Sequence, residues 1–106
     1  MNNPAITGSQ ITAARALTEI SQTKLAERAQ VELPALASLE ARRNVPNDPS
    51  AELFRIQFAL EQMGAVFLAE RNGVGVGVRL KFGRNQVRAI DRWEDEGGSH
   101  GEDDVP

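Results

Sequence analysis

The sequence predicts a mainly α fold: four helices that include a helix-turn-helix, then a β-hairpin, a short helix and a disordered acidic tail. Three observations carry this. Apolar residues recur at steps of three and four through residues 9–64, then at steps of two through 65–82. Candidate N-caps (Ser9, Ser21, Ser50) and a proline suited to a first helical turn, Pro34, divide the helical stretch into segments. From Asp95 onward Gly, Ser, Asp and Glu dominate and leave little to bury. The predicted organisation is a flexible N-terminus over 1–8, a helix-turn-helix domain over 9–64, a hairpin over 65–82, a short amphipathic helix over 83–94 and the tail over 95–106.

Ser9 is the expected cap of a first helix over 9–20, with Ile11, Ala14, Leu17 and Ile20 inward. Ser21 caps a second helix over 22–29 with Leu25, Ala26 and Ala29 on one face. Pro34 opens a third that runs to about Arg42, with Leu36 and Leu39 inward, and residues 44–49 form a loop by composition. Ser50 caps the fourth helix, whose Leu53, Ile56, Leu60 and Met63 make a buried stripe ended by Gly64. That helix also carries Phe54 and Phe58 one turn apart and off the stripe. A helix with two apolar faces must bury both, so something beyond the first core covers the phenylalanines. Extra core and a partner surface both fit, and the candidate covers are Val87, Ile90 and Trp93 of residues 84–93, from this chain or a second one.

Residues 65–70 and 76–82 alternate around Arg71-Asn72-Gly73-Val74-Gly75, where Asn-Gly signals a two-residue hairpin turn. Val76, Val78, Leu80 and Phe82 point one way and Arg79 and Lys81 the other, giving one apolar and one basic face. The run Gly73-Val74-Gly75-Val76-Gly77 lacks a following Lys-Ser/Thr and sits inside the hairpin, so it is not a phosphate cradle.

A chain of 106 residues is one domain's worth of sequence. It has no cysteine, which excludes disulfides, thiol catalysis and cysteine-ligated metals, and its one histidine, His100, lies in the acidic tail. No cofactor, metal site or catalytic constellation is predicted, so an enzyme is not expected. No apolar run approaches the ~20 residues that cross a bilayer, and Met1-Asn2-Asn3-Pro4 does not resemble a secretory signal. The expectation is a cytoplasmic protein without membrane contact. The net charge of −3 is unevenly spread: residues 1–60 are neutral, 61–90 carry +3 and 91–106 carry −6.

Residues 21–40, SQTKLAERAQVELPALASLE, place two short helices around a tight turn, with small Ala26 where the backbones approach and Leu25, Val31, Leu36 and Leu39 at the shared core. Arg15, Ser21-Gln22, Leu25-Ala26-Glu27-Arg28-Ala29, Val31 and Leu39-Glu40 together resemble the lambda-repressor-like, XRE-type family of bacterial and phage transcription regulators over roughly residues 10–65.

The resemblance implies a helix-turn-helix whose second helix enters the major groove. It implies a pairing of Arg15 with Glu40, for which a purely structural role is favoured. Gln22, with Thr23 beside it, falls at the phosphate-contacting start of the second helix. Leu33, Pro34 and Ser38 fall at base-reading positions, with Glu32, Ala35 and Ala37 close by, and Arg42, Arg43 and Asn44 in the phosphate-touching loop. Gln30 stands where the turn usually carries glycine. The reading face lacks Arg, Lys, Asn and Gln, the side chains that make bidentate base contacts, so specificity leans on DNA shape, dimer spacing or elements outside the motif.

The function expected is a homodimeric regulator, such as a repressor, acting on palindromic promoter or operator DNA. Dimerisation is expected through the hairpin (Val76, Val78, Leu80, Phe82) or the Phe54 and Phe58 face. The alternative is a protein-interaction module: the antitoxin of a toxin–antitoxin pair, folding its acidic tail on a basic partner, or an activator that touches RNA polymerase.

Overall fold

Thr7 starts the first helix because its hydroxyl accepts from the Gln10 amide at 3.0 Å while the Gln10 side chain accepts from the Thr7 amide at 2.9 Å, a reciprocal capping box. In the computed structural model, which describes residues 5–81, this helix is α1 (Gly8–Thr18). It is followed by α2 (Gln22–Ala29), α3 (Leu33–Ala41), α4 (Ala51–Gln62) and the strands β1 (Ala65–Leu68) and β2 (Gly77–Leu80). Four helices and a small antiparallel hairpin thus share one core. Its largest fully enclosed side chains are Ile11, Leu25, Leu36, Ile56 and Leu60, with Thr18.

Ser21 and Ser50 cap α2 and α4 as the sequence predicts, each accepting a backbone amide at 3.0 Å. Three expectations need correction. Thr7, not Ser9, caps α1, because only Thr7 has a glutamine three residues on. Ile6 is buried and Thr7 pairs with Pro46, so the flexible N-terminus expected over 1–8 is ordered structure from Ala5 onward. Leu17 is 40% exposed while Thr18 is 1% exposed. Steps of three from Ile11 drift off the 3.6-residue stripe, which continues instead through Ala14 to Thr18. The Thr18 hydroxyl is accommodated there by donating to the Ala14 carbonyl at 2.8 Å.

The hairpin pairs Ala65 with Leu80, Val66 with Arg79, Phe67 with Val78 and Leu68 with Gly77. Asn72 and Gly73, with φ of 53° and 79°, form the turn between Arg71 and Val74, whose amides and carbonyls exchange bonds of 2.9 Å. Opposed residues share a face, so Ala65, Phe67, Val78 and Leu80 lie together. Ala65 joins the core, and Phe67 and Val78 pack against it. Both strands are shorter than the alternation predicts. Phe82, the helix expected over 83–94, the tail over 95–106 and residues 1–4 lie outside the described residues.

Candidate nucleic-acid interface

The α2–α3 unit is fixed by three anchors. The first is the turn between the helices. Gln30 takes the left-handed conformation (φ 59°) that ends α2, and the Val31 amide bonds back to the Ala26 carbonyl at 3.0 Å. Arg55 of α4 braces this turn, its Nε donating to the Ala29 carbonyl at 3.1 Å and its Nη2 to that of Gln30 at 3.5 Å. A guanidinium at the C-terminal end of α2 also suits the negative end of the helix dipole.

The second anchor holds the far end of α3. Glu40 is buried and accepts from Arg15 Nε at 2.7 Å, Arg15 Nη2 at 3.0 Å and the Thr12 hydroxyl at 2.9 Å. Arg15 Nη1 also reaches the Ile20 carbonyl at 3.3 Å. Both carboxylate oxygens are thereby satisfied, as a carboxylate shielded from water requires. The paired Arg15 and Glu40 that the resemblance implies is present, and it ties α3 to α1.

The third anchor is a close approach. Gly8 lies so near the end of α3 that a β-carbon there would collide with the Glu40 carbonyl oxygen. It would also lie 2.5 Å from that of Leu39 and 2.8 Å from the Arg43 nitrogen. The Ser9 amide donates to the Arg43 carbonyl at 3.0 Å across this junction. The following loop is drawn in by Asn47, which is buried and donates to the Ile6 and Leu39 carbonyls, each at 3.4 Å.

With its inner side held by Leu36 and Glu40, α3 turns Pro34, Ser38 and Arg42, spaced by four, to solvent. Glu32, Leu33, Pro34 and Ser38 are exposed and Ala35 is half-buried. At the start of α2, Gln22 is half-buried and Thr23 exposed. Arg42, Arg43 and Asn44 are all exposed after α3; Arg42 Nη2 donates to the Pro46 carbonyl at 3.1 Å, and Arg43 has φ 55°. All ten residues predicted for this surface therefore have solvent access.

The residues predicted for dimerisation divide. Phe54 and Phe58 are 68% and 51% exposed, with ring centroids 6.2 Å apart and planes 16° from parallel. Val76 is exposed and Leu80 half-buried, while Val78 is used by the chain's own core and Phe82 lies outside the described residues. A cavity of about 350 Å³ between the hairpin and residues 5–10 has, among the described residues, Glu70 as its one ionisable lining group. Among the described residues no three His, Cys, Asp or Glu side chains are grouped to hold a metal, and no helix is long and apolar enough to cross a membrane.

Sequence reasoning missed Gly8, Gln10, Thr12, Asn47 and Arg55. Only Gln10 had a local signal, standing three residues after Thr7. The chain matches no protein-family model and no curated protein.

Proposed function

We propose that the protein is a sequence-specific DNA-binding transcriptional regulator of the lambda-repressor-like, XRE type. In this reading α2 and α3 are its helix-turn-helix, and it acts as a homodimer on a palindromic promoter or operator site. The observation that carries the reading is the mounting of α3. Its inner side is fixed by Leu36 and the Arg15–Glu40 pair, while its outer side and the following Arg42 and Arg43 are exposed. A rigid exposed helix flanked by cations fits a major groove bordered by phosphates.

The amides at the start of α2 offer a second phosphate contact, with Gln22 and Thr23 beside them. The outer face of α3 supplies the Leu33 side chain and the Pro34 ring for thymine methyls, and the Ser38 hydroxyl for one base edge. Such a face discriminates weakly by direct contact. Two copies spaced by one helical turn, reading groove shape as well, supply the rest.

Replacing Arg42 and Arg43 together by alanine tests this. Affinity falls on every duplex, and the slope of log K against log salt decreases in magnitude by up to about 2, close to 0.9 for each phosphate no longer neutralised. Ser38→Ala weakens only the specific site. Unchanged binding of the double variant at low salt would refute this docking of the surface on DNA.

A further inference from the structure

The cavity of about 350 Å³ lies where the hairpin meets residues 5–10 and the loop after α3 at Asn44 and Pro46. Its volume falls in the range of small-molecule pockets, roughly 300–1,000 Å³. At about 30 Å³ for each water in the liquid, it has room for roughly ten non-hydrogen atoms. Ile6, Pro46, Phe67 and Val76 give it apolar walls.

The polar groups around this space are rich in unused acceptors. Gln10 is fully engaged, accepting from the Thr7 amide and donating to the Leu68 and Gly77 carbonyls. Gln57 donates through Nε2 to Glu61 at 3.1 Å, which leaves its Oε1 without a partner among the described residues. Glu70 is exposed, no described residue forms an ion pair with it, and Arg71, next in the chain, is not part of the wall. Beside the wall, Asn47 is bonded to Ile6 and only 2% exposed, and its Oδ1 has no hydrogen-bond partner among the described residues. Buried acceptors are rarely left unpaired in a folded protein. Asn44 adds an amide that serves as donor or acceptor.

We propose that this cavity binds a small amphipathic cation, a primary amine on an apolar body. The ammonium lies on the Glu70 carboxylate and the body against Ile6, Pro46, Phe67 and Val76. An ammonium has three donors and no acceptor, the complement of the groups left over. An anion would meet Glu70 with no described cation in the wall to offset it. A neutral molecule fills the volume and leaves the carboxylate unmatched. The inference stands apart from the DNA-binding reading, and its test contains no DNA.

Phenethylamine is the probe, titrated into isotope-labelled full-length protein at neutral pH, with phenethyl alcohol and hydrocinnamate as its neutral and anionic counterparts. Amide resonances of Thr7, Asn44 and Leu68 to Glu70 shift and saturate with the amine, with a Kd of about 1 mM or tighter. Glu70→Gln, at an exposed position, weakens the amine about threefold to fivefold, the worth of a solvent-accessible ion pair. The same substitution leaves the alcohol unchanged, and hydrocinnamate binds more weakly than either. Absence of saturation well above that concentration would overturn the proposal, as would shifts confined to the face of Phe54 and Phe58. An amine and an alcohol equally indifferent to Glu70→Gln, or an anion bound as tightly as the amine, would overturn the assignment of a cation.

Discussion

Replacing Gly8 by alanine adds one methyl group at a junction with no room for it. The new carbon would meet the Glu40 carbonyl oxygen, the Leu39 carbonyl oxygen at 2.5 Å and the Arg43 nitrogen at 2.8 Å. All three are backbone atoms, so no side chain can rotate away. Restoring ordinary contact at 3.4–4 Å means moving the start of α1 about 1 Å from the end of α3. That lengthens the Ser9–Arg43 hydrogen bond from 3.0 Å and strains the Arg15–Glu40 ion pair at 2.7 Å. Overpacking of this kind costs about 1–3 kcal/mol, and the broken hydrogen bond about 1 more. A total near 3 kcal/mol lowers the melting temperature of a domain this size by roughly 10–25 °C. Gly75→Ala is the control: its added carbon has nothing within 4 Å, so stability stays within about 0.5 kcal/mol. Thermal and urea unfolding followed by circular dichroism measure both. A Gly8→Ala protein as stable as the Gly75→Ala control would refute the close approach, and with it the account of how α3 is held.

Gln10→Ala removes the acceptor for the Thr7 amide and the Nε2 donor that spans the Leu68 and Gly77 carbonyls at 3.1 and 3.0 Å. Three broken hydrogen bonds at about 1 kcal/mol each predict a destabilisation of about 2–3 kcal/mol, with amide exchange in residues 65–80 rising before that of α4; equal protection in both regions would contradict the clamp. Deleting residues 95–106 removes five acidic groups from a chain whose 61–90 segment carries +3. DNA affinity then rises on specific and random duplexes at low salt, and the gain fades as the screening length falls below ~10 Å; equal affinities with and without the tail would leave it no part in binding.

Where an element's boundaries rest on residues next to one another, the sequence shows them. Ser21 and Ser50 cap helices because the amide each satisfies is three residues on, and Asn72-Gly73 turns the hairpin because both accept positive φ. Leu53, Ile56, Leu60 and Met63 form the stripe that 3.6 periodicity predicts, and all four are buried. Contacts set by the path of the chain are less legible. Gly8 is crowded by residues more than thirty positions away, and Asn47 bonds back to Ile6. Arg55 reads as one more polar residue on an amphipathic helix until α4 is placed beside the α2 end. Glu19 and Arg43 adopt φ of 61° and 55° with no glycine or asparagine to mark them. At the candidate site, the pairing of Arg15 with Glu40 is what the family resemblance implies. The bracing by Thr12 and Arg55 is not part of that resemblance, and no local pattern marks it, because it joins separate helices.

The central claim is that α2 and α3 bind duplex DNA as a pair of symmetry-related units. Footprinting of the purified full-length protein on genomic fragments at about 50 mM salt, where phosphate contacts count most, tests it directly. The account predicts protection of two half-sites whose centres lie about 10–10.5 base pairs, or a whole multiple of that, apart, and abolished when Arg42 and Arg43 are both replaced by alanine. A folded protein that protects no sequence under those conditions would contradict it.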